Sequence, residues 1–533
     1  MLHTLARLNI LSLAFALLPS IGSPAVAADT SGGRPNIIIM MADDMGYSDL
    51  GCFGAEIETP HLDSLAKNGL RFSQFYNTGR CCPTRAALLT GLYQHQAGVG
   101  HMVGNDKLPG YEGKLNDRCV TLADVLKPAG YATLMVGKWH VGSDKGHWPV
   151  DRGFEKYFGT PSGGGVYFKE TLSLRPQVFF VEGNEKTDWP DGAYVTDLFA
   201  DHAIRFVKDA TRSDKPFFLY FAHIAPHWPL QAKPADMAKY KGRYDAGYDA
   251  LREARHAKQI ELGVMNKDWK LAGRPPGMKP WKELDEATQK DLSLRMEIYA
   301  AQIDSIDQNV GRLLAALKET NKLDNTVFIF LSDNGCSAEG GPGGFSRGKK
   351  DAPLGTGLSY ASAGLEWATA CNTPLRKHKM SVHEGGISSP FIVHWPAGLT
   401  RKGEIETQPG HVMDLMPTCV ELAKAKYPGE VNGKKIQPME GVSLVPALSG
   451  KPLGRAGALC WEHEGNQAIR EGDWKLVRAN GGEWELYNLL DDRTEQNNLF
   501  NKYSFRVTEM KATYEAWMKR ANVEPWSAVK KKP

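Results

Sequence analysis

The sequence predicts an α/β fold: a large, mostly parallel sheet sandwiched by helices, with a smaller C-terminal antiparallel sheet plus one helix. Three observations lead to this prediction. Short apolar runs alternate with helical patterns up to about residue 440, short strands separated by Gly and Asn turns follow, and a helical pattern ends the chain. Strands that alternate with helices are typical of a parallel sheet covered on both faces.

The first apolar run, NIIIMMA at residues 36–42, is typical of a strand buried on both faces. A helix is predicted over residues 59–68, where Gly69 ends it. Four more runs predict strands, at residues 132–136, 217–222, 326–331 and 390–393. The longer helical patterns cover residues 285–317 and 412–425, and the Gly-, Ser- and Ala-rich residues 340–364 predict a loop.

The sequence pattern changes after about residue 440, where short strands separated by turns replace the alternation of strands and helices. Strands are predicted at residues 456–461, 467–469, 474–477 and 484–487, and the last helix at 508–521. We therefore divide the chain into a signal peptide at residues 1–27, a main α/β domain at 28–440 and a C-terminal α+β subdomain at 441–533.

The first 27 residues have the pattern of an export signal. Arg7 precedes an apolar stretch at residues 10–18, and the small residues AVA at 25–27 are typical of a cleavage site. The later sequence has no run of about 18 uncharged apolar residues, the length needed to span a bilayer. The mature protein is therefore expected to be periplasmic or secreted, with no membrane segment after cleavage.

Composition narrows the function. Lys plus Arg number 64 and Asp plus Glu 61, so the formal charge of +3 argues against a dedicated nucleic-acid binder. A hydrophobic fraction of 42% is ordinary for a soluble protein with a sizeable core. The eight cysteines are an even number, which in an exported chain favours four disulfides.

Polar side chains suited to chemistry follow four of the predicted strands directly. The carboxyl ends of parallel strands lie at one edge of the sheet, where functional residues collect. This pattern indicates an enzyme, and the residues concerned are Asp43, Asp44, Lys138, His140, His223, His227, Asp333 and Asn334.

Two of these groups, Asp43-Asp44 and Asp333-Asn334, offer four oxygen-bearing side chains. Adjacent carboxylates repel each other unless a cation neutralises them. Oxygen donors without His or Cys suit a hard cation such as Ca²⁺ or Mg²⁺ rather than Zn²⁺. One pair alone is also typical of a solvated turn, but two pairs at strand ends favour a metal site.

The segment CCPTR at residues 81–85 is followed by LTG at residues 89–91. Pro83 suits the first turn of a helix, so Cys81 lies where a helix N-terminus favours an anion. Arg85, about one turn later, can point to the same place. A buried thiol at a turn is the alternative, and the spacing alone leaves both open.

This segment resembles the signature of the type I sulfatases in the alkaline-phosphatase-like superfamily. The pattern fits only when counted from Cys81, because counting from Cys82 meets Thr84 and Ala86 where Pro and Arg are required. The resemblance runs in order from about Arg34 to the terminal helix and looks closest to bacterial arylsulfatases. It implies that Cys81 is oxidised during export to formylglycine (3-oxoalanine) by a formylglycine-generating machinery.

The resemblance also implies the rest of the site. It assigns one Ca²⁺ to Asp43, Asp44, Asp333, Asn334 and the residue made from Cys81, with Ca²⁺ favoured over Mg²⁺ because it tolerates looser geometry. Catalytic roles are implied for Arg85, Lys138, His140, His227 and Lys379. Two alternatives stay open: a register error in the crowded segment RKHK at 376–379 moves the last role to Lys377, and His223 shares a loop with His227.

The function implied is a calcium-dependent sulfuric ester hydrolase of the arylsulfatase type. It releases inorganic sulfate and an alcohol or phenol through a covalent sulfo-enzyme intermediate, from a small-molecule or carbohydrate sulfate ester. Two alternatives are a phosphonate or phosphate ester hydrolase of the same superfamily and a non-catalytic binder of sulfated glycans. Loss of the Cys81 sulfur leaves seven thiols, so at least one stays unpaired within the chain.

Overall fold

The computed structural model of the protein describes residues 33–529, and the predicted signal peptide at 1–27 lies outside them. Its main sheet has eleven strands: β1 (Asn36–Asp43), β2 (Leu70–Tyr76), β3 (Ala132–Lys138), β4 (Lys156–Thr160), β5 (Phe180–Glu182), β6 (Glu185–Thr187), β7 (Phe217–Pro226), β8 (Thr326–Ser332), β9 (Ser388–His394), β10 (Glu404–Glu406) and β11 (Gly410–His411).

The strand order in this sheet is β10-β2-β9-β8-β1-β7-β3-β4-β5-β6, with β11 pairing to β2. The centre is parallel: β1 lies between β7 and β8, and β3 lies between β7 and β4. All eight residues of β1 are buried. The prediction of a large, mostly parallel sheet is confirmed.

Eleven α-helices lie between these strands or shortly after the last of them. They are α1 (Pro60–Lys67), α2 (Cys81–Thr90), α3 (Leu122–Leu126), α4 (Val195–Ala210), α5 (Pro234–Tyr240), α6 (Gly247–Glu261), α7 (Glu286–Glu319), α8 (Gly364–Cys371), α9 (Glu384–Ile387), α10 (Leu415–Ala423) and α11 (Val445–Leu448).

Different helices cover the two faces of the sheet. Ile38 and Met40 of β1 pack in one core with side chains of α4 and α7, whereas Ile37 and Ile39 pack in a second core with side chains of α2 and α10. This alternation follows from the two-residue repeat of a strand. It makes the sheet the middle layer of a sandwich, as predicted.

Three details differ from the sequence expectations. Strand β2 was not expected, because Arg71 and Gln74 interrupt its apolar pattern. The run at 390–393 lies in β9, which pairs antiparallel with both β2 and β8. The helix expected over 412–425 is a 3-10 turn at Val412–Asp414 followed by α10, with the His411 ring accepting a hydrogen bond from the Met413 amide at its start.

The expectation of four disulfides is wrong. All eight cysteines lie within residues 33–529 and all are free, seven of them buried. Buried free cysteine behaves as a small apolar side chain, so these thiols fill the core instead of cross-linking it.

The C-terminal part has its own antiparallel sheet. A two-stranded ribbon, β12 (Glu430–Val431) and β13 (Lys434–Lys435), precedes the strands β14 (Leu459–His463), β15 (Asn466–Glu471), β16 (Trp474–Arg478) and β17 (Glu485–Asn488). Helix α12 (Ser504–Ala521) packs on the four-stranded sheet, and α13 (Trp526–Val529) follows. This agrees with the predicted small sheet plus helix; the domain boundary at 440 stays a prediction.

A buried charge network joins the two sheets. Lys475 of β16 lies 2.8 Å from Glu384 at the start of α9 and 2.9 Å from Glu495, and all three side chains are fully buried. Burial alone would raise the pKa of Glu384, but Lys475, Arg493 and Arg470 hold it at about 2, below its ordinary value of 4.5. The network therefore fixes the small sheet against the segment that leads into β9.

Within residues 33–529, no helix is both long and apolar enough to cross a membrane.

Replacing Lys475 with Met keeps a side chain of similar length but leaves two buried glutamates without their shared cation. We expect the free energy of unfolding to fall by about 3–5 kcal/mol at pH 7, because an uncompensated buried charge is costly. Urea denaturation measures the change. The Glu384 carboxylate contributes stability above about pH 4.5 that is lost as the pH falls toward 2, so the two proteins should differ least in acid.

The matched control is Lys519→Met, at an exposed position of α12, where we expect a change within about 0.5 kcal/mol. A K475M loss no larger than that of K519M contradicts the assigned role of the network.

Candidate active site

The candidate residues gather at one edge of the main sheet. Strands β1, β3, β7 and β8 are parallel, so their carboxyl ends meet there. Helix α2 begins at the same edge, because β2 runs alongside these strands and leads into it. The side chains brought together are Asp43, Asp44, Cys81, Arg85, Lys138, His140, His227, Asp333, Asn334 and Lys379, all of them buried.

Arg85 and Lys138 neutralise two of the acids. The Arg85 guanidinium lies 2.8 Å from Asp333 and 3.2 Å from Asp43, and it also donates to the Lys138 carbonyl oxygen at 2.9 Å. The Lys138 ammonium lies 2.5 Å from Asp43. Burial alone would raise the pKa of Asp43, but Lys138, His227 and Arg85 lower it overall. Burial and the neighbouring Asp43 raise the pKa of Asp333 well above its ordinary range.

Asp44 forms the second half of the acidic group. Its backbone N–H donates to Asp333 at 3.1 Å, and the Asn334 amide donates to its Oδ1 at 2.6 Å. The Lys379 ammonium lies 2.9 Å from its Oδ2. Lys377, the alternative by register, is exposed, so the geometry brings Lys379 rather than Lys377 to the site.

The donor set fits a hard cation. Asp43 Oδ1 and Asn334 Oδ1 are both buried and have no hydrogen-bond partner among residues 33–529. A buried acceptor without a partner is costly, and a cation bound by both oxygens removes that cost. Oxygen ligands from three carboxylates and one amide match the preference of Ca²⁺ or Mg²⁺.

Cys81 is the first residue of α2 and only 2% exposed. Its Sγ lies 4.0 Å from that of Cys82, and Cys82 in turn lies 3.3 Å from His140 Nδ1. The Cys82 contact, followed by the charges of Lys138 and His140, lowers the pKa of the Cys81 thiol well below its ordinary value. The helix N-terminus and these cations make the position favourable for an anion.

The two histidines differ in surroundings. His140 has a positive φ of 59°, and its ligand nitrogen lies within 4.8 Å of both cysteine sulfurs. Burial and the Lys138 charge lower the pKa of His140 to about 4, so its ring is neutral at pH 7. His227 pairs its Nδ1 with the Trp228 carbonyl oxygen at 2.6 Å, which turns Nε2 toward Asp44 at 3.6 Å.

His223 does not join this group. Its ring centroid lies 4.2 Å from that of Phe221, and neither ring nitrogen has a hydrogen-bond partner among the described residues. Burial alone lowers its pKa to about 3, so it is a neutral core residue.

Sequence reasoning missed Glu339. Its carboxylate lies 3.5 Å from Lys379 and 3.6 Å from Arg80, and it accepts a hydrogen bond from the Trp228 indole. Burial opposes ionisation, but Lys379, His227 and Arg80 hold the pKa of Glu339 at about 2. Its only sequence signal is its place shortly after Asp333, at the start of the glycine-rich segment.

A cavity of about 800 Å³ lies elsewhere, between α3 and the β12–β13 ribbon. It contains none of the candidate site residues, so the arrangement of charged groups locates the site better than cavity size does.

A parallel sheet whose carboxyl edge gathers buried acids, cations and a cysteine at a helix start defines a hydrolase of the alkaline-phosphatase-like type. The sulfatase family model matches residues 35–425. The chain therefore belongs to the sulfatase family and is a sulfuric ester hydrolase.

Individual relatives agree with this assignment. The chain is 36% identical to an arylsulfatase of Klebsiella aerogenes over 426 residues, covering 77% of this chain and 91% of the relative. It is also 36% identical to an uncharacterized sulfatase of Schizosaccharomyces pombe over 525 residues, covering 91% of this chain and 93% of the relative. Among solved structures, Ps i-CgsB in complex with k-i-k-neocarrahexaose is 27% identical, with a TM-score of 0.69. The match covers 94% of this chain and 100% of that structure's chain.

Proposed function

We propose that the protein hydrolyses sulfate esters with a formylglycine made from Cys81 and one Ca²⁺ held by Asp43, Asp44, Asp333, Asn334 and an oxygen of the converted residue. The observation that carries this proposal is the meeting of two buried oxygen-rich strand ends with the start of α2. Either part alone could be purely structural, whereas their convergence supports the proposal of a metal site beside a cysteine that is modified.

An anionic substrate needs positive charge at this site. Arg85, Lys138 and Lys379 are all buried and can orient sulfate oxygens while they offset their charge. Ca²⁺, when bound, adds positive charge and polarises the oxygens around it. These groups hold the ester so that its sulfur faces residue 81.

A hydrated aldehyde at residue 81 would supply two hydroxyls on one carbon. One would give up its proton and attack sulfur as the S–O bond to the leaving group breaks. Deprotonation of the other would re-form the aldehyde as the C–O bond to sulfate breaks, which releases sulfate, and water would then hydrate the aldehyde again. We assign that deprotonation to His140, because its ring is neutral at pH 7 and its nitrogen lies within 4.8 Å of the Cys81 sulfur. A neutral imidazole within reach can act as a general base.

We assign His227 as the general acid. The Trp228 carbonyl oxygen lies 2.6 Å from Nδ1 and fixes the ring, so that Nε2 faces the site, 3.6 Å from Asp44. Nε2 is therefore the atom from which this acid donates its proton. Donation of that proton to the leaving oxygen neutralises the alcohol or phenol as the S–O bond breaks.

The substrate class we propose is a small-molecule or carbohydrate sulfate ester. We further propose that the signal at residues 1–27 exports the protein, that conversion of Cys81 accompanies export, and that the mature enzyme is periplasmic or secreted. We also propose that the chain divides into a main α/β domain at residues 28–440 and a C-terminal α+β subdomain at 441–533.

Mass spectrometry of the peptide that contains residue 81 tests the modification. In active enzyme we expect formylglycine at position 81 and an intact thiol at Cys82. Cys81→Ala should lower kcat on an aryl sulfate by roughly 10⁴-fold or more, as loss of a nucleophile does. Cys82→Ala is the matched variant, which should retain formylglycine at 81. Active enzyme with an unmodified Cys81 contradicts the proposal.

Calcium binding gives a second prediction, independent of turnover. After treatment with a chelator, Ca²⁺ should raise the melting temperature of the wild type, because a ligand that binds only the folded state stabilises it. Asp333→Asn removes one negative ligand and should weaken Ca²⁺ binding by on the order of 10- to 100-fold.

The exposed Asp351 provides the control, since D351N lies on the surface and should bind Ca²⁺ as the wild type does. Equal affinity in D333N and wild type would contradict the proposed ligand set.

The role of His227 predicts a dependence on the leaving group. His227→Gln should lower kcat/KM by roughly 10²- to 10⁴-fold for an alkyl sulfate, whose alcohol needs a proton, and much less for 4-nitrophenyl sulfate. His140→Gln, the matched variant, should affect both esters alike. An H227Q loss that is equal for the two esters excludes this role.

The two alternatives predict different results. A phosphate or phosphonate ester hydrolase should cleave bis(4-nitrophenyl) phosphate faster than 4-nitrophenyl sulfate, and the 36% identity to an arylsulfatase favours the opposite order. A non-catalytic binder should lack some of the charged site residues, whereas the full set is present in this sequence.

A further inference from the structure

A group of aromatic rings and arginines lies beside His227. Trp228 follows His227 directly, and its ring centroid lies 4.5 Å from that of the histidine. Phe345 and Tyr360 pack edge-on against Trp228 at 5.3 and 5.7 Å. We call Trp228, Phe345 and Tyr360 the aromatic wall. Trp228 and Phe345 are only partly buried, so the wall reaches solvent.

Two guanidinium groups flank this wall. Arg175 lies 5.9 Å from the Trp228 ring and 5.7 Å from the Tyr360 ring, and it donates a hydrogen bond to the Tyr360 hydroxyl. Arg347 lies 4.5 Å from the Phe345 ring. Within residues 33–529, Arg175 contacts uncharged groups, namely Tyr360, Trp228 and the side-chain amide of Gln177, and Arg347 contacts the Phe345 ring. Two cations thus lie near the site without an acidic partner.

The carboxylate that contacts the wall, Glu339, already has its charge balanced by two cations. Glu339 accepts from the Trp228 indole and faces Lys379 and Arg80 at 3.5 and 3.6 Å. Its charge is therefore directed toward the reaction centre, whereas Arg175 and Arg347 are left for another anion. Aromatic faces next to guanidinium groups suit a ring that carries a negative charge.

We infer that this wall and its two arginines form a leaving-group subsite for a ring bearing its own anionic group, in addition to the sulfate that is cleaved. The inference rests on the proposed function, because His227 as general acid places the leaving group on this side. The ring stacks on the aromatic wall, and its carboxylate or second sulfate pairs with Arg175 and Arg347, which are specificity-determining residues.

The test uses two esters of nearly equal shape, 4-sulfooxybenzoate and 4-sulfooxybenzamide, which differ in charge. The measured quantity is the kcat/KM for the acid divided by that for the amide. We expect this ratio to fall by roughly tenfold or more in Arg175→Gln/Arg347→Gln relative to wild type, as loss of charged hydrogen bonds does. The two esters also differ in intrinsic reactivity, and the ratio measured with the double variant shows how large that difference is.

The controls separate charge from folding. Arg212→Gln, at an exposed position with an 80% exposed side chain, should keep the wild-type ratio. Arg347 is exposed, so R347Q alone should fold and still lower the ratio, and R347K should restore most of it. Glucosamine 6-sulfate and glucosamine 2-N,6-O-disulfate form a second pair that distinguishes carbohydrate from aromatic leaving groups. A ratio that is the same in wild type and double variant for both pairs overturns the inference.

Binding of the products separates this inference from the proposed function. Calorimetry should show that wild-type protein binds 4-hydroxybenzoate more tightly than 4-hydroxybenzamide, and that the double variant loses the difference. Protein that hydrolyses neither ester but keeps this preference contradicts the sulfatase mechanism and supports the subsite. Active enzyme that binds both products equally supports the sulfatase mechanism and contradicts the subsite.

Discussion

The arrangement of the candidate active site is governed by the repulsion between carboxylates that are buried at neighbouring strand ends. Asp43, Asp44 and Asp333 lie within a few ångströms of one another, away from water. Such a group is stable only if positive charge accompanies it. Arg85 and Lys379 supply that charge from a helix and a loop distant in sequence, so the sheet, α2 and the loop before α9 have to assemble together.

The central fold could be read from the sequence because each buried parallel strand is a continuous apolar run that ends in a polar group. The strands that begin at residues 36, 132, 217 and 326 were predicted in this way, with their functional residues. Strand β2 was missed, since Arg71 and Gln74 hide its pattern and its place is fixed by pairing with distant β9 and β10. The antiparallel direction of β9 was missed for the same reason: local sequence carries no signal for it.

The candidate site was predicted where a short motif or a strand end marks a residue. Glu339 has neither, and only the folded loop brings it to Lys379 and Arg80. The eight cysteines show the reverse error, because their even number suggested cross-links, while the fold leaves all eight free and buries seven of them. The small C-terminal sheet, recognisable from its turns, takes part in the site indirectly, through the buried contact of Lys475 with Glu384.

The burial of α2 limits the time during which residue 81 is accessible to another enzyme. All ten of its residues are buried, and Cys81 is 2% exposed at its start. If Cys81 is converted to formylglycine, a modifying enzyme can reach it only while the chain is still unfolded. Conversion and folding are then competing events, and a molecule that folds first stays inactive for the lifetime of its native state. Under that condition, the active fraction of a preparation would record the relative rates of these two events rather than the stability of the product.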